Sequence, residues 1–150
     1  MAGVLLKLDT KETDWLSSRL RETAAKFNNL QDLMEEIGEH LVSSTLLRFE
    51  RADSPEGTPW APWSEAYAAK REGGAMLMDS ERLAGSITYQ AGPEQVEVGS
   101  NVIYAAIHQA GGEDVGIPIP ARPYLGISPD EEIEVLEIIS DWEQKQLEAA

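Results

Sequence analysis

Ser86-Ile87-Thr88-Tyr89-Gln90-Ala91-Gly92-Pro93-Glu94-Gln95-Val96-Glu97-Val98-Gly99 decides the fold. Ser86 to Gln90 alternates and carries β-branched and aromatic residues. Gln95 to Gly99 also alternates, with Val96 and Val98 on one face, so both segments read as strands. The link Ala91-Gly92-Pro93-Glu94 is short enough for a hairpin, and a hairpin means an antiparallel pair. Upstream, the apolar run Val4-Leu5-Leu6-Lys7-Leu8 supplies a first strand, ended by Asp9 and Thr10.

Helices surround these strands. Thr13 or Asp14 caps a helix from Trp15 to Phe27, with Trp15, Leu16, Leu20, Ala24 and Phe27 apolar, and Asn28-Asn29 breaks it. The clearest helical pattern follows. Leu30, Leu33, Met34, Ile37, Leu41, Ser44 and Thr45 recur at three- and four-residue spacing opposite Asp32, Glu35, Glu36 and Glu39, and the helix continues through Phe49. Gly38 inside it costs ~1 kcal/mol relative to Ala, which a long helix absorbs. Arg51 to Trp63 is loop by composition, with turn chemistry at Pro55-Glu56-Gly57. Ser64 to Arg71 reads as a short helix ended by Gly73-Gly74, and Asp79 to Leu83 as a capped turn or short helix. Tyr104 to Gln109 fits helix or strand equally. Ser128 as N-cap, Pro129 at the first helical position and acids in the first turn open a last helix to about Glu148. Ile133, Leu136, Ile139 or Ser140, and Leu147 mark its apolar side. The chain therefore reads as one α+β domain over residues 1–150: an antiparallel β-sheet packed with two to three helices, with long proline-rich loops.

One of those loops, Ile117-Pro118-Ile119-Pro120-Ala121-Arg122-Pro123-Tyr124-Leu125-Gly126, has three prolines that fix φ and remove backbone donors. It is expected to run as a stiff, extended ribbon displaying Ile117, Ile119 and Tyr124. Such a ribbon suits docking, because little chain entropy remains to be lost on binding. The pattern points to contact with other proteins rather than chemistry.

Composition narrows the classes further. With 27 acidic residues against 12 basic ones, the net charge is −15. Phosphate neutralisation needs Lys and Arg clusters that are missing, which argues against direct nucleic-acid binding. Solubility is the plain reading of that charge. Mimicry of DNA charge, or a lining that repels passing DNA, would use the same feature. No apolar run approaches the ~20 residues of a membrane span. The stretch Met1 to Lys7 does not read as a signal peptide. With no cysteine, disulfides and thiolate chemistry are excluded, and assembly in the cytoplasm is the expectation.

Individual residues carry two readings each. Trp60 and Trp63 are either interface hot spots or anchors pinning their loop to the core. Arg122 pairs either with a carboxylate on a neighbouring subunit or with its own fold. His108, near Glu113 and Asp114, lacks the further ligands a zinc site needs, and His40 has no reason to converge with it. A structural histidine is the better reading, and no metal or cofactor is expected. No Gly-x-Ser-x-Gly elbow or comparable nucleophile context appears, so an enzyme is not expected. Asp130, Glu131, Glu132, Glu134, Glu137, Asp141 and Glu143 on the last helix form either a solvated face or the lining of a ring lumen.

Arg48-Phe49, Ser54-Pro55-Glu56-Gly57-Thr58-Pro59-Trp60-Ala61-Pro62, Leu83-Ala84-Gly85-Ser86-Ile87, Val96 to Ser100, Tyr104 to Gly112, and Ile119 to Gly126 follow one another in order. This series resembles the phage virion morphogenesis family, which includes tail completion proteins of P2-like phages and a Mu-like late protein. It spans about Met34 to Trp142. Asp79-Ser80-Glu81-Arg82 stands where members often carry a Thr-Gly pair. The resemblance implies a non-enzymatic structural or assembly protein of the virion, acting at the tail end or neck. It also implies self-association as a ring, a hexamer foremost, with the tail tube and neck or connector proteins as partners and DNA passing through the lumen. Trp60, Trp63, Tyr104, His108, Ile117, Ile119, Arg122 and Tyr124 are the expected subunit and partner contacts. A head-assembly factor of the same family and an acidic DNA-mimic inhibitor are the rival readings.

Overall fold

The computed structural model describes residues 3–62, 82–102, 104–112, 116 and 119–149. The order of elements is β1 (Val4–Asp9), α1 (Trp15–Phe27), α2 (Gln31–Arg51), α3 (Arg82–Gly85), β2 (Thr88–Ala91), β3 (Gln95–Ser100), α4 (Ala105–Ala110) and α5 (Pro129–Ala149). It is an α+β arrangement, as the alternating and helical patterns together imply. The short helix expected over Ser64 to Arg71 lies outside the described residues, and Tyr104 to Gln109 resolves in favour of a helix.

The sheet is antiparallel with the order β1-β3-β2. The hairpin pairs Tyr89 with Val98 and Ala91 with Val96, and β1 adds on the other side with Leu6 opposite Val98. One face of the central strand is thus apolar, and Val96 and Val98 are fully buried. α2 lies on that face, and α5 packs on α2 and α1. The start of α2 is tied to the hairpin: the Leu30 amide donates to Pro93 O at 3.0 Å, and Gln31 Nε2 to Ala91 O at 3.1 Å. α1 begins at Asp14, whose carboxylate accepts from the Ser17 amide at 3.0 Å, and ends where Asn28 takes a positive φ of 63°. That ending explains the break expected at Asn28-Asn29.

Two apolar faces differ from the sequence reading. On α5 the buried stripe is Glu131, Val135, Ile139 and Trp142, while Ile133 and Leu147 are exposed. Glu131 sets the phase: at 3.6 residues per turn, Ile133 lies about 200° further round the helix, whereas Val135 returns to the same side. Trp15, counted on the apolar side of α1, is more than half exposed at the helix start. The acidic run is also divided. Glu143 accepts from Arg19 Nη1 and Thr23 Oγ1, both at 2.5 Å, which ties α5 to α1. Burial pushes the Glu143 carboxyl up, but the hydrogen bonds from Arg19 and Thr23 outweigh it and hold the pKa below the usual value. Trp142 meets Phe27 edge-on at 5.4 Å in the same contact.

Gly38 acquires a reason that periodicity hides. A Cβ there would sit 2.5 Å from Tyr89 Cδ2 and 3.0 Å from Tyr89 Cβ. The bare backbone lets α2 lie directly on the Tyr89 ring. Gly38→Ala gains ~1 kcal/mol of helix propensity, yet forces the helix off the sheet at a cost of ~1–3 kcal/mol. Urea denaturation is expected to show net destabilisation; a stabilised variant would mean the ring moves aside freely.

Candidate docking site

The described part of the proline segment, residues 119–126, is sewn into the fold. Residues 119–126 follow α4 and run back beside it. Ile119 O accepts from the Gly112 amide at 2.8 Å, and the Arg122 amide donates to His108 O at 2.8 Å. Gly111, with φ 82°, ends α4, and a Cβ there would lie 2.9 Å from Ala121 N. Gln109 then clamps the next stretch. Its Oε1 accepts from the Tyr124 and Leu125 amides, both at 3.0 Å, and its Nε2 donates to Leu125 O at 2.9 Å. The prolines leave this segment few donors, and two of its remaining amides, those of Tyr124 and Leu125, share one side-chain acceptor.

Tyr124 points inward rather than being displayed. It is fully buried, its hydroxyl donates to Ala105 O at 2.6 Å, and its ring packs on Phe49 with centroids 5.2 Å apart. Burial alone carries its pKa above the ordinary tyrosine range. This corrects the ribbon-display reading: an aromatic ring with a satisfied hydroxyl gains more inside than on a surface. Trp60 completes the cluster, edge-on to Phe49 at 5.7 Å, with Nε1–H donating to Pro123 O at 2.7 Å. Of the two readings of Trp60, the geometry matches the loop anchor. Its loop is a closed turn in which the Trp60 amide donates to Ala52 O and the Ser54 amide to Thr58 O. Arg122 donates through Nε to Ala61 O at 2.9 Å and through Nη2 to Pro62 O at 3.2 Å, which holds the two loops together.

Arg48 and Glu131 fix this assembly to the long helices. Arg48 Nη1 donates to Tyr124 O at 2.7 Å, and Nη2 forms an ion pair with Glu131 Oε1. Both side chains are buried. The same Oε1 accepts from the Ser128 amide, and Ser128 Oγ accepts from the Glu131 amide, a capping box at the head of α5. Burial lowers the Arg48 pKa, and the nearby Asp53 and Glu56 raise it again. The guanidinium stays charged because its ordinary pKa is so high.

The expected contact residues thus separate. Trp60, Arg122 and Tyr124 are buried and committed within the chain, Tyr104, His108 and Ile119 are half-buried beside the ribbon, and Trp63 and Ile117 lie outside the described residues. The His108 ring stands edge-on to Tyr104 at 5.8 Å. Burial and then the Arg122 charge lower its pKa, so the imidazole is neutral at pH 7. His40 pairs instead with Glu134 at 2.6 Å, and no group of three or more metal-ligating side chains occurs among the described residues. Arg48 and Gln109 enter the sequence reading only as parts of longer motifs, and Glu131, read there as solvated face or lumen lining, is instead buried. Ser128 followed three residues later by Glu131 was the available signal for one of them.

The chain matches the sequence profile of the phage virion morphogenesis family over residues 9–143 and belongs to that family. It is 40% identical over 109 residues to a protein of Escherichia phage Mu named "Putative capsid assembly protein G", covering 66% of this chain and 70% of that one. It is 31% identical over 143 residues to the Mu-like prophage FluMu G protein 2 of Haemophilus influenzae, covering 93% and 97%. No solved structure matches. The chain is a phage protein of virion morphogenesis, and no described helix is long and apolar enough to cross a membrane.

Gln109→Leu removes all three clamp hydrogen bonds at nearly constant volume and leaves two amides and a carbonyl unmatched. Stability is expected to fall by ~2–4 kcal/mol, and hydrogen exchange at the Tyr124 and Leu125 amides to accelerate more than at Val96 and Val98. Uniform acceleration across all four would show that Gln109 does not hold the ribbon locally.

Proposed function

We propose that this protein acts without catalysis at the head–tail junction of a phage particle. It completes the tail end and prepares it for head joining by assembling as a ring, with a hexamer as the favoured size. The observation that carries this reading is the family match over nearly the whole chain. The ribbon supports it physically. A segment already stapled by Gln109, Trp60 and Arg122 loses little entropy when its exposed side, at Pro120 and Ala121, meets a neighbour. Tyr104, His108 and Ile119 border that side and are the proposed contact residues. The net charge of −15 suits a ring through which DNA passes without sticking. Tail tube and neck proteins are the proposed partners, and the tail or neck of the virion the proposed location.

The name of the phage Mu relative favours a second reading, in which the chain assists capsid assembly. Light scattering of the purified protein, alone and with tail tubes or empty heads, separates the two. The junction reading predicts a discrete ring-sized mass, or capture at the ends of tail tubes. A monomer that ignores tubes and associates with heads would replace it with the capsid reading.

A further inference from the structure

The sheet keeps one face open. α2 lies on the face of Val96 and Val98, while on the other Leu5, Lys7, Thr88 and Gln90 are exposed, Leu5 by 57%. Leu5, Gly99 and Thr88 stand side by side across the three strands. A Cβ at Gly99 would run into Val4 O, so the central strand carries no side chain at that point. The result is a hollow of about 490 Å³ bordered by Leu5, Thr88, Gln90 and Glu97. Positive charge gathers at the far end of β1. Lys7 reaches Asp9 only at 3.7 Å, with half its side chain in water. Lys11 follows the strand and is exposed, and Arg21 Nη1 donates to Thr10 O at 2.7 Å and Glu12 O at 3.0 Å. Residues 1–28 carry five basic and four acidic groups, a net +1, which leaves −16 for the rest of the chain.

We propose that this open face seats α5 of a second copy, laid alongside β1. The proposal rests on the ring reading and names its subunit contact. The outward side of α5 has the matching chemistry: Ile133, 54% exposed, and Leu136 are followed by Glu137, Ser140 and Asp141 around one shallow hollow. The spacings agree as well. Glu137 and Asp141 lie about 6 and 12 Å beyond Ile133 along the helix. Lys7 lies about 7 Å beyond Leu5 along the strand, and the end of β1, with Lys11 and Arg21, about 13 Å beyond. With Ile133 in the hollow, Glu137 therefore falls at Lys7, and Asp141 at Lys11 and Arg21. Charge also selects which faces meet. Two α5 helices face to face would oppose Asp130, Glu134, Glu137 and Asp141 to themselves, and two open faces would oppose the cations to themselves. Only the unlike pairing brings opposite charges together. α5 packs on α2 and α1 rather than on the sheet, so one copy can use both faces at once. A contact between two different faces continues from copy to copy and closes as a ring, where a self-matching one stops at a dimer.

The chain has no cysteine, so disulfide trapping tests the contact against no background. Leu5→Cys and Ile133→Cys alter exposed side chains. Mixed as separate variants of the full chain under mild oxidation, they are expected to give mainly mixed dimers, and the variant carrying both a ladder that ends at the ring. Lys7→Glu or Glu137→Lys alone should weaken association in light scattering about tenfold. Combined in one chain they should restore it to within about threefold, a rescue that a folding defect would not show. Rings of unchanged mass without mixed disulfides, or charge reversals that do not rescue each other, would overturn this contact and leave the ring reading standing. Ile133→Cys joining chiefly to itself would overturn it in favour of a self-matching dimer. A chain that stays monomeric at every concentration and at tail-tube ends, with no mixed disulfide, would overturn both.

Discussion

The buried pair of Arg48 and Glu131 is the constraint on which the rest of the arrangement depends. Desolvating two charges costs several kcal/mol per ion, so the pair persists only because its geometry serves several elements at once. Arg48 brings the end of α2, Tyr124 O brings the ribbon, and the Ser128–Glu131 capping box brings the start of α5. Without the pair, Tyr124 O and the Ser128 amide would lose these partners. The phase of α5 follows from the same contact. With Glu131 turned inward, Val135, Ile139 and Trp142 fall on the core, and Ile133 and Leu147 are turned out.

Around that pair the fold converts two proline-rich loops into a rigid surface. Phe49 separates Trp60 from Tyr124, and the polar ends of both outer rings reach backbone carbonyls. Aromatic burial supplies the stabilisation and the hydrogen bonds supply the register. A protein built for assembly benefits from such a division. The side chains that give the loops their shape are inside, and the groups left at the surface are short, stiff and already ordered.

Much of the fold was legible because local chemistry and tertiary packing agree. The hairpin Thr88 to Ser100 follows from alternation and a short link, and the limits of α1 follow from Asp14 and Asn28. The ordered motifs were sufficient for the family. Legibility failed where a partner distant in sequence decides. Gly38 looks like a small helix defect until Tyr89, some fifty residues on, occupies the space of its missing side chain. Tyr124 looks displayed on an extended ribbon until Phe49 and Ala105 O receive it. Glu131 sits in a run of acids, and composition cannot say that one of them is turned inward to meet Arg48. The α5 stripe through Ile133 and Leu147 is out of phase for the same reason, because the inward position at the helix head is a charge, and only Ile139 belongs to both faces.

The most direct test is a double-mutant cycle on that pair, with Arg48→Met, Glu131→Leu and both together, followed by denaturant unfolding. Each single change leaves one buried charge uncompensated and should cost ~3–5 kcal/mol. The double variant should recover a large part, giving a coupling energy well above the ~0.3–0.5 kcal/mol seen for independent sites. Additive losses within that margin would mean that α2, the ribbon and α5 are held together by something other than Arg48 and Glu131.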